Sequence, residues 1–228
     1  MAIVIAPASQ QHLTTMPVAL KDEVLRCFET LINQTKDDVW QQADQQLQLL
    51  NVIAASPFSA QLLLLNPQLL DHTFLAATFS KYQLQVLLTK VMSKVTSETH
   101  LHACLRQFRK AHQVRLIWRN RCCLGSSQEL VEELSNLADV CVDEALTWLH
   151  NDSVKQWGQP TSRDGELQEL VVLGMGKLGG RELNLSSDID LIFSFPAGGE
   201  TRGGKRSVDN QQFFIRLGQR LIHAIDVV

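Results

Sequence analysis

The sequence predicts an α+β protein, a helical N-terminal region followed by a smaller α/β segment, and three observations point to that class. Several stretches within residues 1–150 repeat apolar side chains three or four positions apart, the period of a helix buried on one face. Residues 171–195, VVLGMGKLGGRELNLSSDIDLIFSF, instead set a glycine-rich turn between two short apolar runs that read as strands. Between these regions, residues 151–168 contain Gly158, Pro160 and Gly165 and read as a linker. The predicted organisation is therefore 1–150 helical, 151–168 linker and 169–228 α/β.

Taken in order, residues 23–32, 41–55 and 57–65 read as the first helices. Ser56-Pro57 and Asn66-Pro67 punctuate them, each placing a capping side chain before a proline that suits a first helical position. Residues 100–121 read as a longer helix, and so do residues 127–150, which Ser126 and Glu129 open with a capping box. Leu130, Leu134, Leu137, Cys141, Ala145 and Trp148 then form one buried stripe. Residues 170–173 and 189–195 are the two predicted strands. Residues 196–207, with four glycines and mixed charges, read as a flexible stretch before a final helix at 213–225, whose apolar face is Phe214, Leu217, Leu221 and Ile225.

Composition narrows the function classes. A chain of 228 residues with 45% hydrophobic side chains can bury one large core or two modest ones. A net charge of −3 does not suit bulk nucleic-acid binding, so no nucleic-acid partner is expected. Arg106, Arg109, Lys110, Arg115, Arg119 and Arg121 spread around their helix and read as a solvated or interdomain face, while Leu105, Phe108, His112, Leu116 and Trp118 contribute to packing. His100 and His102, two apart on a helix, point to different faces and are not expected to share a metal. Five cysteines, an odd number with no C-x-x-C pair, suit neither a disulfide framework nor a zinc site, and reduced thiols in a cytoplasm are expected. The opening MAIVIAPASQQHL lacks a basic leader and has a short apolar run, and the internal apolar block at residues 62–65 falls far short of the roughly 20 residues that span a bilayer. No membrane segment is expected.

The chemistry concentrates at the glycine turn. Along a strand, side chains alternate faces, so Asp188 and Asp190 should project to one side and Ile189 and Leu191 to the other. Two carboxylates so close repel unless a cation relieves them, and Mg²⁺, which takes a few carboxylate oxygens and fills its shell with water and phosphate, suits that need. Gly174, Gly176, Gly179 and Gly180 let backbone N–H groups approach an anion, and Lys177 adds a charge. The string from Gly174 to Gly179 matches G-x-G-x-x-G only in letters: a short segment and a second strand follow it where the dinucleotide fold needs a long helix and a ribose-binding acid.

Residues 174–184, GMGKLGGRELN, followed by Ser186-Ser187-Asp188-Ile189-Asp190-Leu191-Ile192-Phe193, resemble the first nucleotidyltransferase motif of the bifunctional glutamine synthetase adenylyltransferase/adenylyl-removing enzymes. Residues 213–225, with Arg216-Leu217-Gly218-Gln219-Arg220-Leu221-Ile222, resemble the helix that follows the motif, and residues 108–119 fit the family's N-terminal portion less distinctively. The resemblance implies a DNA polymerase β-like nucleotidyltransferase fold and a role in nitrogen control. Members carry two such domains. The N-terminal one removes AMP from a tyrosine of glutamine synthetase by phosphorolysis, and the C-terminal one attaches AMP from ATP. A starting methionine and a long helical lead liken this chain to the removing half.

By the same resemblance, Asp188 and Asp190 bind Mg²⁺. Gly174, Gly176, Lys177, Ser186 and Ser187 cradle phosphates of a nucleotide (ATP or ADP) and inorganic phosphate. The implied partners are glutamine synthetase and, through regions outside this sequence, a PII-type regulatory protein. Two departures matter. Met175 follows Gly174 where the wider superfamily has Gly-Ser or Gly-Gly. The superfamily's third carboxylate lies on a later strand, and Asp209 and Asp226 are not placed to replace it. The chain is therefore expected to be a fragment or truncated product that does not turn over alone. Two alternatives stand beside the favoured reading: a nucleotidyltransferase for a small molecule such as an antibiotic, and an inactive fragment that binds glutamine synthetase.

Overall fold

The computed structural model describes residues 5–35 and 38–226, so residues 1–4 of the run read for a leader lie outside the described residues. Among the described residues helices dominate, and four short strands form two separate two-stranded sheets, an α+β arrangement. The chain divides into two compact units, Met1–Thr78 with Lys110–Leu130, and Phe79–Arg109 with Val131–Val228.

In the first unit, α1 (Pro7–Thr14), α2 (Val18–Gln34), α3 (Ala43–Ala55), α4 (Pro57–Leu65) and α5 (His72–Ala76) gather around Phe28, Leu31, Trp40, Leu49, Leu50, Leu63 and Leu75, all fully buried. Helix α2 is longer than the 23–32 read from sequence, and α1 and α5 were not anticipated. The C-terminal half of α7 (Glu98–Arg121) contributes Val114 and Trp118, and the Trp118 indole meets Trp40 edge-on at 5.6 Å. Edge-to-face stacking suits the ring quadrupoles and adds to the area the two indoles bury.

Ser56 caps α4 as expected, its hydroxyl accepting from Ser59 N at 3.1 Å. Asn66 behaves differently. Its amide donates back to Leu62 O at 3.1 Å, closing α4, and only a 3₁₀ turn, Pro67–Leu69, follows. The carbonyls that a helix leaves unpaired at its last turn compete for such a donor.

Two members of the basic run correct the solvated-face expectation, because Arg115 is fully buried and Arg119 nearly so. Arg115 Nη1 donates to Ala77 O at 2.7 Å, and Arg119 donates to Ala76 O and to Leu124 O. These guanidiniums satisfy carbonyls at the end of α5 and in the turn after α7, groups that no helical partner reaches.

The second unit begins with α6 (Lys81–Met92), opened by a full capping box between Ser80 and Gln83. It includes the N-terminal half of α7 and most of α8 (Ser127–Trp157), whose own capping box joins Ser126 and Glu129. Leu134, Leu137, Cys141 and Ala145 of the predicted stripe are buried, Leu130 and Trp148 half-buried, and Val140, Val142 and Leu149 widen the buried face.

Residues 151–168, read as a linker, hold the last two turns of α8 and strand β1 (Gly158–Ser162). Part of residues 196–207, read as flexible, is β4 (Gly199–Gly203), which pairs antiparallel with β1 from Gly158↔Gly203 to Ser162↔Gly199. Buried Gln168 ties the ribbon down, accepting from Ala197 N at 2.8 Å. The final helix, α10 (Asn210–Asp226), buries Phe213, Phe214, Leu217, Leu221 and Ala224, while Ile225 is half-buried. Asn210 at its start donates to Thr161 O at 2.9 Å, joining helix to ribbon.

Candidate functional site

The second sheet builds the glycine turn. Strand β2 (Val171–Gly174) pairs antiparallel with β3 (Leu191–Ser194), running from Val171↔Ser194 to Gly174↔Leu191. Helix α10 covers one face: the Phe193 ring lies 3.5 Å from where a Cβ on Gly218 would stand, and Phe195 stacks on Phe214 at 4.8 Å. The other face leaves Val171, Leu173 and Ile192 nearly half exposed.

After β2 the chain enters a single helical turn, α9 (Gly176–Gly179). Gly176 takes φ +53°, a backbone region costly to residues with a Cβ, and the space a Cβ would fill is 3.4 Å from Asp190 Oδ2. Gly179 lies so close to the Gly174 carbonyl that a Cβ would come within 2.5 Å of its oxygen. The turn is closed by Gly180 N to Gly176 O at 2.9 Å and Glu182 N to Lys177 O at 2.7 Å. Buried Leu178 and Leu183 anchor it below.

Asp188 and Asp190 stand just before β3, not inside it, so strand alternation does not by itself set their directions. Asp190 is held instead through its backbone, its carbonyl accepting from Met175 N at 2.8 Å one step beyond the β2–β3 ladder. Both aspartates are exposed, and among the described residues neither carboxylate takes a hydrogen bond or an ion pair.

Of the anticipated phosphate-binding residues, Gly174 ends β2, Gly176 and Lys177 lie in α9, and Ser186 and Ser187 occupy the turn before Asp188. Lys177 Nζ donates to Ser187 Oγ at 3.2 Å, so the structure brings those two together. The residue that sequence reasoning did not single out is Asn184. Its Oδ1 accepts from Ser187 Oγ at 2.6 Å, from Ser186 N at 3.3 Å and from Ser186 Oγ at 3.4 Å. The available signal was an Asn two and three residues ahead of a serine pair, the spacing of an Asx turn.

The donor set fits a hard divalent cation in part. Two carboxylates with unspent oxygens beside glycine N–H groups and a lysine are oxygen chemistry of the kind Mg²⁺ takes. Among the described residues, no group of three His, Cys, Asp or Glu side chains gathers to hold a metal. Asp209 is otherwise engaged, its Oδ1 accepting from Gln211 N at 2.8 Å at the start of α10, and Asp226 ends that helix. Elsewhere in the unit His102 meets His223 edge-on at 5.1 Å, and burial holds the His102 pKa below its ordinary value.

All five cysteines are free. Burial pushes the thiol pKa of Cys141 and of Cys122 up to about 12 and that of Cys27 to about 11, which leaves these thiols protonated and unreactive at neutral pH. Among the described residues no single helix is long and apolar enough to cross a membrane.

Comparison with known proteins adds a family context. The family model described as glutamate-ammonia ligase adenylyltransferase matches residues 46–228. The chain is similar to proteins named bifunctional glutamine synthetase adenylyltransferase/adenylyl-removing enzyme. It is 47% identical over 183 residues to that of Hahella chejuensis, covering 78% of this chain and 19% of the relative. It is 55% identical over 132 residues to that of Pseudomonas aeruginosa (58% and 13%) and 41% identical over 227 residues to that of Shewanella oneidensis (92% and 24%). The chain thus spans a quarter or less of the length of these relatives.

Proposed function

The chain belongs to the glutamate-ammonia ligase adenylyltransferase family, and from that premise we propose that residues 169–228 are part of a DNA polymerase β-like nucleotidyltransferase domain that removes AMP from the adenylylated tyrosine of glutamine synthetase. The observation that carries this reading is the pair Asp188 and Asp190, two exposed carboxylates without internal partners beside a glycine turn that also holds Lys177. Asp188 and Asp190 lie two positions apart with no internal cation among the described residues to offset their charge, which leaves both open to an external one.

In this reading Asp188 and Asp190 hold Mg²⁺, which when bound offsets charge on the phosphoryl oxygens. The glycine N–H groups at 174 and 176 and the Lys177 ammonium receive phosphate oxygens, with Ser186 and Ser187 beside them. An oxygen of inorganic phosphate forms a bond to the AMP phosphorus while the bond from that phosphorus to the tyrosine oxygen breaks. ADP leaves and the tyrosine recovers its proton. Residues 1–150 form the helical region that precedes the catalytic segment, glutamine synthetase is the protein partner, and a PII-type regulator engages other parts of the whole protein. The cytoplasm is the proposed compartment, where free thiols stay reduced.

The test is substitution in the full-length protein. Asp188→Asn and Asp190→Asn should each cut phosphate-dependent release of ADP from adenylylated glutamine synthetase by roughly 100-fold or more while far-UV circular dichroism stays unchanged. Removal at the unaltered rate would show that these aspartates are not the metal ligands. The lack of a third converging carboxylate among the described residues favours a second reading for the isolated chain, a binding fragment. Capture of glutamine synthetase without turnover would select it.

A further inference from the structure

Arg181 has φ +58°, a conformation that only Cys123 shares among the described residues with side chains. A side chain in the left-handed region is unfavourable and persists where its surroundings hold it. Here the hold comes from α8, more than forty residues earlier in the chain. Arg181 Nη2 donates to Oδ1 of Asn136, which is almost buried, and Nη1 donates to Asp139 Oδ2 at 3.4 Å. Asp139 also receives Lys81 Nζ at 2.8 Å, so α6 and the turn share one carboxylate. Two residues on, Leu183 N donates to Oγ of fully buried Ser135 at 3.3 Å, and the Leu183 side chain is buried.

Ser135, Asn136 and Asp139 therefore grip residues 181–183 from one helix. That segment faces the site from both directions. Upstream, Arg181 N and Glu182 N close the turn by donating to Leu178 O at 3.0 Å and Lys177 O at 2.7 Å. Downstream comes Asn184, which gathers Ser186 and Ser187 ahead of Asp188. The Arg181 guanidinium is spent on α8, and nearly half of its side chain is exposed. An exposed ion pair of this kind adds little to global stability, which leaves geometry as what it contributes.

We propose that Arg181 is a positioning residue, which with Asn136 and Asp139 sets the Lys177 turn and the Asp188/Asp190 pair in register for reaction. This inference rests on the site reading above. The register set by α8 makes a helix of the N-terminal region part of the catalytic scaffold.

The experiment compares Arg181→Gly, Asn136→Ala and the double variant in the full-length protein. Glycine tolerates the positive φ, so Arg181→Gly removes the guanidinium without adding backbone strain. The expected result is a fall in kcat of about 10- to 100-fold with KM for phosphate unchanged, since small misplacement of reacting groups acts on rate. Mn²⁺ titration followed by electron paramagnetic resonance should show weakened binding, and the double variant should be no slower than the worse single. Wild-type kcat in Arg181→Gly, additive losses, or a drop in melting temperature large enough to account for the lost activity would each overturn the proposal. Asp188→Asn run alongside separates the two levels. If it keeps both turnover and Mn²⁺ binding, the site reading itself fails; if it is inactive while Arg181→Gly is fully active, only the positioning role fails.

Discussion

Lys177 and Ser187 meet across the mouth of the glycine turn, the lysine ammonium donating to the serine hydroxyl at 3.2 Å. The bond links the start of α9 to the residue before Asp188, and Ser187 passes it on to Asn184 at 2.6 Å. A lysine held in this way has one donor committed and two more for an incoming anion.

The two partners should therefore differ in their effect on turnover. On the proposed phosphate contact, Lys177→Gln removes charge-assisted bonds worth about 1.5–3 kcal/mol and should lower kcat/KM for phosphate in the proposed phosphorolysis roughly 10- to 150-fold in the full-length protein. Ser187→Ala removes one internal neutral partner, worth about 1 kcal/mol, and should cost only a few-fold. Steady-state kinetics decide the ordering, and a larger loss in Ser187→Ala would assign the phosphate contact to the hydroxyl.

The glycines of the turn should rank by what an added methyl group meets. Gly179→Ala forces a Cβ to 2.5 Å from the Gly174 carbonyl oxygen, a backbone atom that moves only if the β2 end moves with it. Gly176→Ala adds the left-handed penalty of about 1–2 kcal/mol and a contact at 3.4 Å with Asp190 Oδ2. Gly174→Ala meets the Leu178 side chain at 3.1 Å, a contact that a shift of a few tenths of an ångström relieves and that involves no backbone atom. Melting temperature and the proposed phosphorolysis, measured together in the full-length protein, should decline least for Gly174→Ala and most for Gly179→Ala.

His112 supplies an acid-sensitive element in the first unit. Burial, reinforced by the adjacent Arg115, pushes its pKa from 6.5 down to about 3, and its Nδ1 accepts from Arg115 Nε at 3.3 Å. The folded pKa lies below the unfolded one, so between pH 6.5 and 3 the unfolded chain binds a proton that the folded chain does not. Stability from this group is thus complete above pH 6.5 and declines as pH falls through that window, by at most about 1.4 kcal/mol per pH unit. Urea unfolding at pH 7 and pH 5 should show a smaller acid loss for His112→Gln than for the unaltered protein. Equal losses would place the acid sensitivity elsewhere.

Local signals were legible where neighbours in sequence supply the partner. Ser56 capping α4 and the Ser126–Glu129 box follow from residues three positions apart, and β2 and β3 each show as a short apolar run of their own. The Ser80–Gln83 box was equally local, and α6 went unanticipated although its signature was present.

Residues whose partners lie far along the chain read differently. Arg115 and Arg119 have the composition of a solvated face, yet carbonyls about forty residues away bury them. Residues 158–162 and 199–203 look like glycine-rich spacers one at a time and become strands only because each is the other's hydrogen-bond partner. A ladder bond needs two segments, and no window along one of them contains both.

The same division runs through the site. The sequence alone determined the helical and strand periods, the family motif and the acidic pair, because side-chain type and spacing carry those directly. Tertiary structure alone decided that Asp190 sits over Gly176, that Lys177 reaches Ser187, and that Arg181 turns away from the site to α8. These contacts depend on where the backbone returns after ten to forty-five residues, a path held where Leu178 and Leu183 are buried and Leu183 N meets Ser135 of α8, not by any local preference.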